Sequence, residues 1–118
     1  MSDAPREAVW LALSELWLDN ELSAADSQAI VRCLRASGLP LAELEAIYRC
    51  EVAPAVWLNQ WVTAGVWEGF DPAWLFQRCR RNQARRRYGW HRWYCRLRAR
   101  PMLGPTRDDW TRIRAQLE

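Results

Sequence analysis

Lysine is absent from this chain: all 17 basic residues are arginine. Genomic base composition alone produces such a bias, so its meaning here is physical. Every cation is a planar donor fork suited to carboxylates, phosphates and aromatic faces. Long apolar runs are missing too. No stretch of about 18 apolar residues occurs, which excludes an ordinary membrane-spanning helix. Met1 to Arg6 lacks a cationic start, apolar core and small-residue cleavage site, so no secretory signal is expected and the chain is expected to be cytoplasmic. The four cysteines, Cys33, Cys50, Cys79 and Cys95, form no CxxC pair. They are expected to be free thiols, the first two buried. Histidine occurs once, at His91. A thiolate–imidazole zinc site with Cys79 and Cys95 would lack a fourth ligand, so no metal and no cofactor is expected.

Acid is missing from one long stretch. Residues 77–100 hold ten arginines and no aspartate or glutamate, with Tyr88, Trp90, Trp93 and Tyr94 among them. Residues 1–76 carry four arginines against eleven acids, a charge of −7. Residues 77–118 carry thirteen against three, a charge of +10. The net +3 therefore hides two opposed halves: an acidic helical domain, 1–76, and an arginine- and aromatic-rich helical extension, 77–118, expected to pack on it as one structural domain. Such opposition points to an anionic partner for the second half or to a fold-back onto the first.

The length of 118 residues suits a single core, and half the residues are apolar. Val9, Trp10, Leu13, Leu16 and Trp17 recur at three- and four-residue spacing, which predicts an amphipathic first helix. Asp19-Asn20-Glu21 should break it. Ser23 with Asp26 reads as a capping box for a second helix presenting Ala29, Ile30, Cys33 and Leu34 inward. Gly38 stands where a left-handed residue closes a helix. Leu41, Leu44, Ile47 and Tyr48 mark a third helix, and Glu51-Val52-Ala53-Pro54 reads as a break. Pro54 then opens a fourth, nearly all-apolar helix through Val62, with the Glu51 carboxylate placed to receive its orphan amides. Asp71-Pro72 reads as the start of a fifth helix. Beyond it, Trp90, Trp93, Tyr94 and Leu97 recur at helical spacing, and Thr106 with Asp109 resembles another box before Trp110, Ile113 and Leu117. The fold class expected is all-α: one compact bundle of six or seven short helices.

The segments Trp10…Leu13-Ser14-Glu15-Leu16-Trp17-Leu18-Asp19, Glu51-Val52-Ala53-Pro54, Asn59 and Gly65-Val66-Trp67-Glu68-Gly69-Phe70-Asp71 resemble a family of small, uncharacterised bacterial proteins. The resemblance covers roughly residues 8–75 and implies no activity. It marks Asp19, Glu51, Pro54, Asn59, Gly65, Trp67, Gly69, Phe70 and Asp71 as a structural motif set. Val66 departs from the acid expected there. The arginine segment lies outside the resemblance.

For function, Glu51, Glu68 and Asp71 are the conceivable acid–base group, yet capping and turn roles already explain them. No catalytic residue is assigned. The binding candidates are Arg78, Arg81, Arg85, Arg86, Arg87, Trp90, Arg92, Trp93 and Arg96. Arginine and tryptophan are the types enriched at binding hot spots. The expectation is a non-catalytic protein-interaction module: an adaptor, inhibitor or toxin-neutralising (immunity-like) protein meeting an acidic protein surface. The alternative is a nucleic-acid binder, with guanidinium forks on phosphates and aromatics stacking on bases. A membrane-surface role fits less well, and no small-molecule substrate is indicated. Within the segment, residues 78–87 are expected to be the wet part and 90–97 the packed part.

Overall fold

The computed structural model describes residues 4–17, 23–57 and 71–118. All regular structure among them is helical, and the expected all-α architecture stands. Helix α1 (Ala4–Ser14) tightens into a 3₁₀ turn, Glu15–Trp17, and buries Val9, Trp10, Leu13, Leu16 and Trp17, the register expected from their spacing. Helix α2 (Ala24–Ala36) opens with the complete box. The Ser23 hydroxyl accepts from the Asp26 amide at 3.1 Å, and the Asp26 carboxylate accepts from the Ser23 amide at 3.2 Å. Its inner face is Ile30, Val31 and Leu34; Ala29 is exposed and Cys33 only half-buried, against expectation. Gly38, just past the end, holds φ +74°, a conformation that a side chain would strain.

The expected break at residues 51–54 does not exist. Helix α3 (Leu41–Ala46) runs through a π-helical turn, Ile47–Val52, directly into α4 (Ala53–Val56). The Ala53 amide reaches back five residues to the Tyr48 carbonyl, which marks the wider turn. The extra residue rotates the inner face, so Ile47, Tyr48, Glu51, Val52 and Ala53 are all buried. Pro54 brings no N–H, so the Cys50 carbonyl four residues earlier loses its usual α-helical donor. It accepts instead from His91 Nε2 at 3.0 Å, and the Glu51 carbonyl accepts from Asn82 Nδ2 at 2.9 Å. Two later helices thus saturate the irregular turn.

Helix α5 (Pro72–Arg85) starts as expected, with Asp71 Oδ2 accepting from the Trp74 amide at 2.9 Å. Replacing Asp71 with Ala should cost about 0.5–2 kcal/mol in urea unfolding while Asn costs far less. An equal loss in both variants would assign Asp71 another role. Helices α6 (Gly89–Leu97), α7 (Ala99–Leu103) and α8 (Arg107–Leu117) follow, with a 3₁₀ turn, Gly104–Thr106, before the last. Thr106 does not cap α8. Its buried hydroxyl bonds the Tyr48 hydroxyl at 2.6 Å and donates to the Leu103 carbonyl at 3.0 Å. Tyr48 stacks on Trp110 at 4.5 Å and lies 5.5 Å from Trp17, whose indole donates to the Met102 carbonyl at 2.8 Å. This aromatic trio ties the C-terminal helices to the front of the chain. Expectations for Leu18, Asp19, Asn20, Glu21, Asn59, Leu58 to Val62, Gly65, Trp67, Glu68, Gly69 and Phe70 fall outside the described residues.

Candidate interaction site

Two electrostatic arrangements divide the arginine segment. The first is internal. Glu51 is 0% exposed, which in isolation would be prohibitive for a carboxylate. Its Oε1 accepts from Trp10 Nε1 at 2.8 Å and Arg6 Nε at 3.3 Å; its Oε2 accepts from Arg6 Nη2 at 2.9 Å and Arg86 Nη1 at 2.6 Å. Arg86 also bonds both oxygens of Glu43, at 2.9 and 3.1 Å, and Arg6 closes the square on Glu43. Two cations and two anions are thereby matched around one buried centre. Glu51 is therefore no helix-start cap, because its side chain lies in the core beneath α1 and α5.

The Glu43 carboxyl is lowered from its ordinary 4.5 to about 2, first by its bonds to Arg86, with Arg6 adding to the effect. A depressed carboxylate contributes stability that is full above its unfolded pKa and lost as pH falls through the folded one. Urea midpoints should therefore fall between pH 4.5 and 2, and the Glu43→Gln variant should lose part of that slope. An identical slope in both would remove Glu43 from the account.

Arg80 adds a bond to Glu7 at 3.0 Å, and Arg114 one to Glu45 at 3.2 Å. Fold-back onto the acidic half is thus carried by Arg80, Arg86 and Arg114. Of the expected binding residues, Arg86 belongs to this internal set. The other arginines, Arg78, Arg81, Arg85, Arg87, Arg92 and Arg96, make no ion pair among the described residues.

The second arrangement faces outward. Arg78, Arg81 and Arg85 lie three, four and seven residues apart on α5 and line a cleft of ≈ 270 Å³ with Asn82, Trp90 and Tyr94. The Arg85 guanidinium sits 5.6 Å from the Trp90 ring, and Tyr88 stacks on Trp90 at 6.4 Å. Arg87 lies 5.3 Å from the Tyr88 ring. Arg87 and Arg92 border a separate open cleft of ≈ 500 Å³ beside Glu43 and Cys50. Arg92 and Arg96 border a third, of ≈ 280 Å³. The nine candidates therefore do not form one patch.

Arg78, Arg81 and Arg87 are exposed as expected of the wet part, but the aromatic row expected to pack does not. Trp90, Trp93 and Leu97 are 57%, 64% and 58% exposed, while His91 and Cys95 face the core. The helix is turned by one residue, about 100°, from the apolar pattern. The cause is polar: His91 reaches the carbonyl that Pro54 leaves without its α-helical donor, and the small Cys95 follows one turn later. Spacing alone reveals no such bond, because the partners are 41 residues apart.

A carbonyl only accepts, so His91 Nε2 carries a proton and donates it to Cys50. The Cys95 sulfur, 3.6 Å from the same nitrogen, faces a donor and not a base. No group of three histidine, cysteine or acidic side chains able to hold a metal exists among the described residues. No helix there is long and apolar enough to cross a membrane.

The sequence model of the domain of unknown function DUF7079 matches residues 4–116, and the chain belongs to that family. The match runs through the arginine segment, beyond the 8–75 span of the resemblance. Searches of curated proteins and of solved structures returned no match.

Proposed function

We propose that this member of a family without assigned function is a non-catalytic binding module. Its role is that of an adaptor, inhibitor or immunity-like bacterial protein of the cytoplasm, docking an acidic protein surface on the α5–α6 face. The observation that carries this reading is the row Trp90, Trp93 and Leu97, each more than half exposed on one helix. Large aromatics in water at helical spacing, beside arginines with no acidic partner among the described residues, have the make-up of an interface core and its charged border. Acidic groups on the partner would meet Arg78, Arg81 and Arg85 from the neighbouring cleft.

A second reading, nucleic-acid binding, draws on that same cleft, where three guanidinium groups adjoin an indole and a phenol. The two part on salt and on nuclease. A protein partner should co-purify after nuclease treatment and be lost from the Trp90→Ala, Trp93→Ala double variant. A nucleic-acid ligand should show log affinity falling linearly with log salt, with a slope that flattens when Arg81 and Arg85 become Ala. Partner retention by the tryptophan variant would remove the α6 anchors, and a steep, arginine-dependent salt slope would establish the second reading in place of the first.

A further inference from the structure

Cys50 and Cys95 border the same ≈ 280 Å³ cleft, one from the π turn and one from α6, with Arg49, Arg92 and Arg96 around its rim. Cys50 also lines the ≈ 500 Å³ cleft beside Arg86, Arg87 and Arg92, so the residue borders two clefts wide enough for small solutes. From these positions we infer that Cys50 and Cys95 form an oxidant-modifiable pair, Cys50 attacking a peroxide and Cys95 resolving the product to an internal disulfide.

The roles follow from the surroundings. His91 holds its Nε2 proton against the Cys50 carbonyl and so cannot take the Cys95 proton. Cys95 instead faces Cys50 in the shared cleft. Its thiol, together with Arg86 and Arg49, lowers the Cys50 thiol from its ordinary 9.0 to about 7, while Cys50 and burial raise Cys95. Burial pushes Cys79 and Cys33 upward, the first strongly. Of four thiols in one chain, Cys50 alone combines access, cationic neighbours and a second thiol in the same cleft.

In the first step the Cys50 thiolate displaces one oxygen of hydrogen peroxide. The S–O bond forms, the O–O bond breaks, and the hydroxide released takes a solvent proton to become water. In the second, the Cys95 sulfur attacks the sulfenic sulfur. The S–S bond forms, and the hydroxyl leaves with the Cys95 proton as water. Two thiols are oxidised by two electrons and the peroxide is reduced to two waters. The product would fasten α6 covalently to the π turn at a residue two positions from both Trp93 and Leu97.

The test uses the reduced full-length chain and hydrogen peroxide, followed by intact mass and non-reducing peptide mapping. The expected product is a monomer lighter by two hydrogens, with the Cys50 and Cys95 peptides joined. Cys95→Ser should instead trap Cys50 with one added oxygen, captured by dimedone. Before oxidation, iodoacetamide at neutral pH should label Cys50 roughly tenfold faster than Cys33, since the larger thiolate fraction is partly offset by lower nucleophilicity. That ranking needs no variant to fold. A disulfide involving Cys33, a disulfide between chains, or oxidation of Cys33 ahead of Cys50 would overturn the proposal.

Discussion

Glu51→Gln should lower stability by about 3–5 kcal/mol, the usual cost of breaking a buried ion pair by removing one partner's charge. In a domain of this size that is roughly a 10–20 °C fall in melting temperature. The size follows from the partners left behind. Arg6 and Arg86 have side chains only 16% and 26% exposed, and Trp10 is fully buried. The amide has one acceptor oxygen where the carboxylate had two, and its NH₂ would face a guanidinium. Both arginines would then share a single remaining anion, Glu43. A cap at a helix start would lose only about 0.5–2 kcal/mol, so thermal melts decide between the two roles. A companion variant sharpens the decision. Arg6, Glu43, Glu51 and Arg86 replaced together by Met should be less damaged than Glu51→Gln, because no unpaired charge remains inside. If this fourfold variant is the worse of the two, the network is valuable in itself and the argument from an orphaned charge fails.

Trp90→Ala and Trp93→Ala should each weaken partner binding by about 2 kcal/mol or more, roughly thirtyfold, while leaving the melting curve nearly in place. Both effects come from the same geometry. The two rings are 57% and 64% exposed in the free chain, so little folding energy rests on them. A change at an exposed position typically moves stability within about 0.5 kcal/mol. On a partner, the same rings would leave water at the middle of the contact, where truncation costs most. Trp90 is also held in place by Arg85 and Tyr88, so less side-chain freedom is lost on docking. Calorimetry or surface resonance against the captured partner measures the first quantity, and circular dichroism melts the second. A large loss of stability in either variant would mean that these rings serve the fold. Unchanged affinity in both would place the interface elsewhere.

Features governed by near neighbours were legible in the sequence. The inward register of α1, the Ser23–Asp26 box, the turn at Gly38 and the Asp71–Pro72 start depend on residues within a turn or two, and spacing reveals them. Glu51 was misread because Pro54 is a strong local stop signal. What carries the helix past it is a π turn saturated by Asn82 and His91, 31 and 41 residues away. The same cause turned α6 by one residue and put its aromatic row outside. Thr106 resembled a cap, but the Tyr48 hydroxyl 58 residues away claimed it. The cysteines went the same way: Cys79 and Cys95 are buried, while Cys33 and Cys50 are half-exposed. For the site, Arg78, Arg81 and Arg85 were expected only as members of a nine-residue set and a wet block, and the structure groups them in one cleft. Arg86, a single residue further on, was not separable from them by composition, yet it points about 100° away into the acids.

The square of Arg6, Glu43, Glu51 and Arg86 joins residues 35 to 45 positions apart, and none of its bonds between arginine and glutamate is local. Each returns nothing until a loop of that length has closed, so the square cannot form from local structure alone. Until Arg86 arrives on α5, Glu51 has reason to stay hydrated, and water cannot leave the middle of the bundle. The arginine-rich half is thus placed to act as a latch. Desolvation favours that closure: a carboxylate as buried as Glu51 is least costly to dry once both cations lie against it.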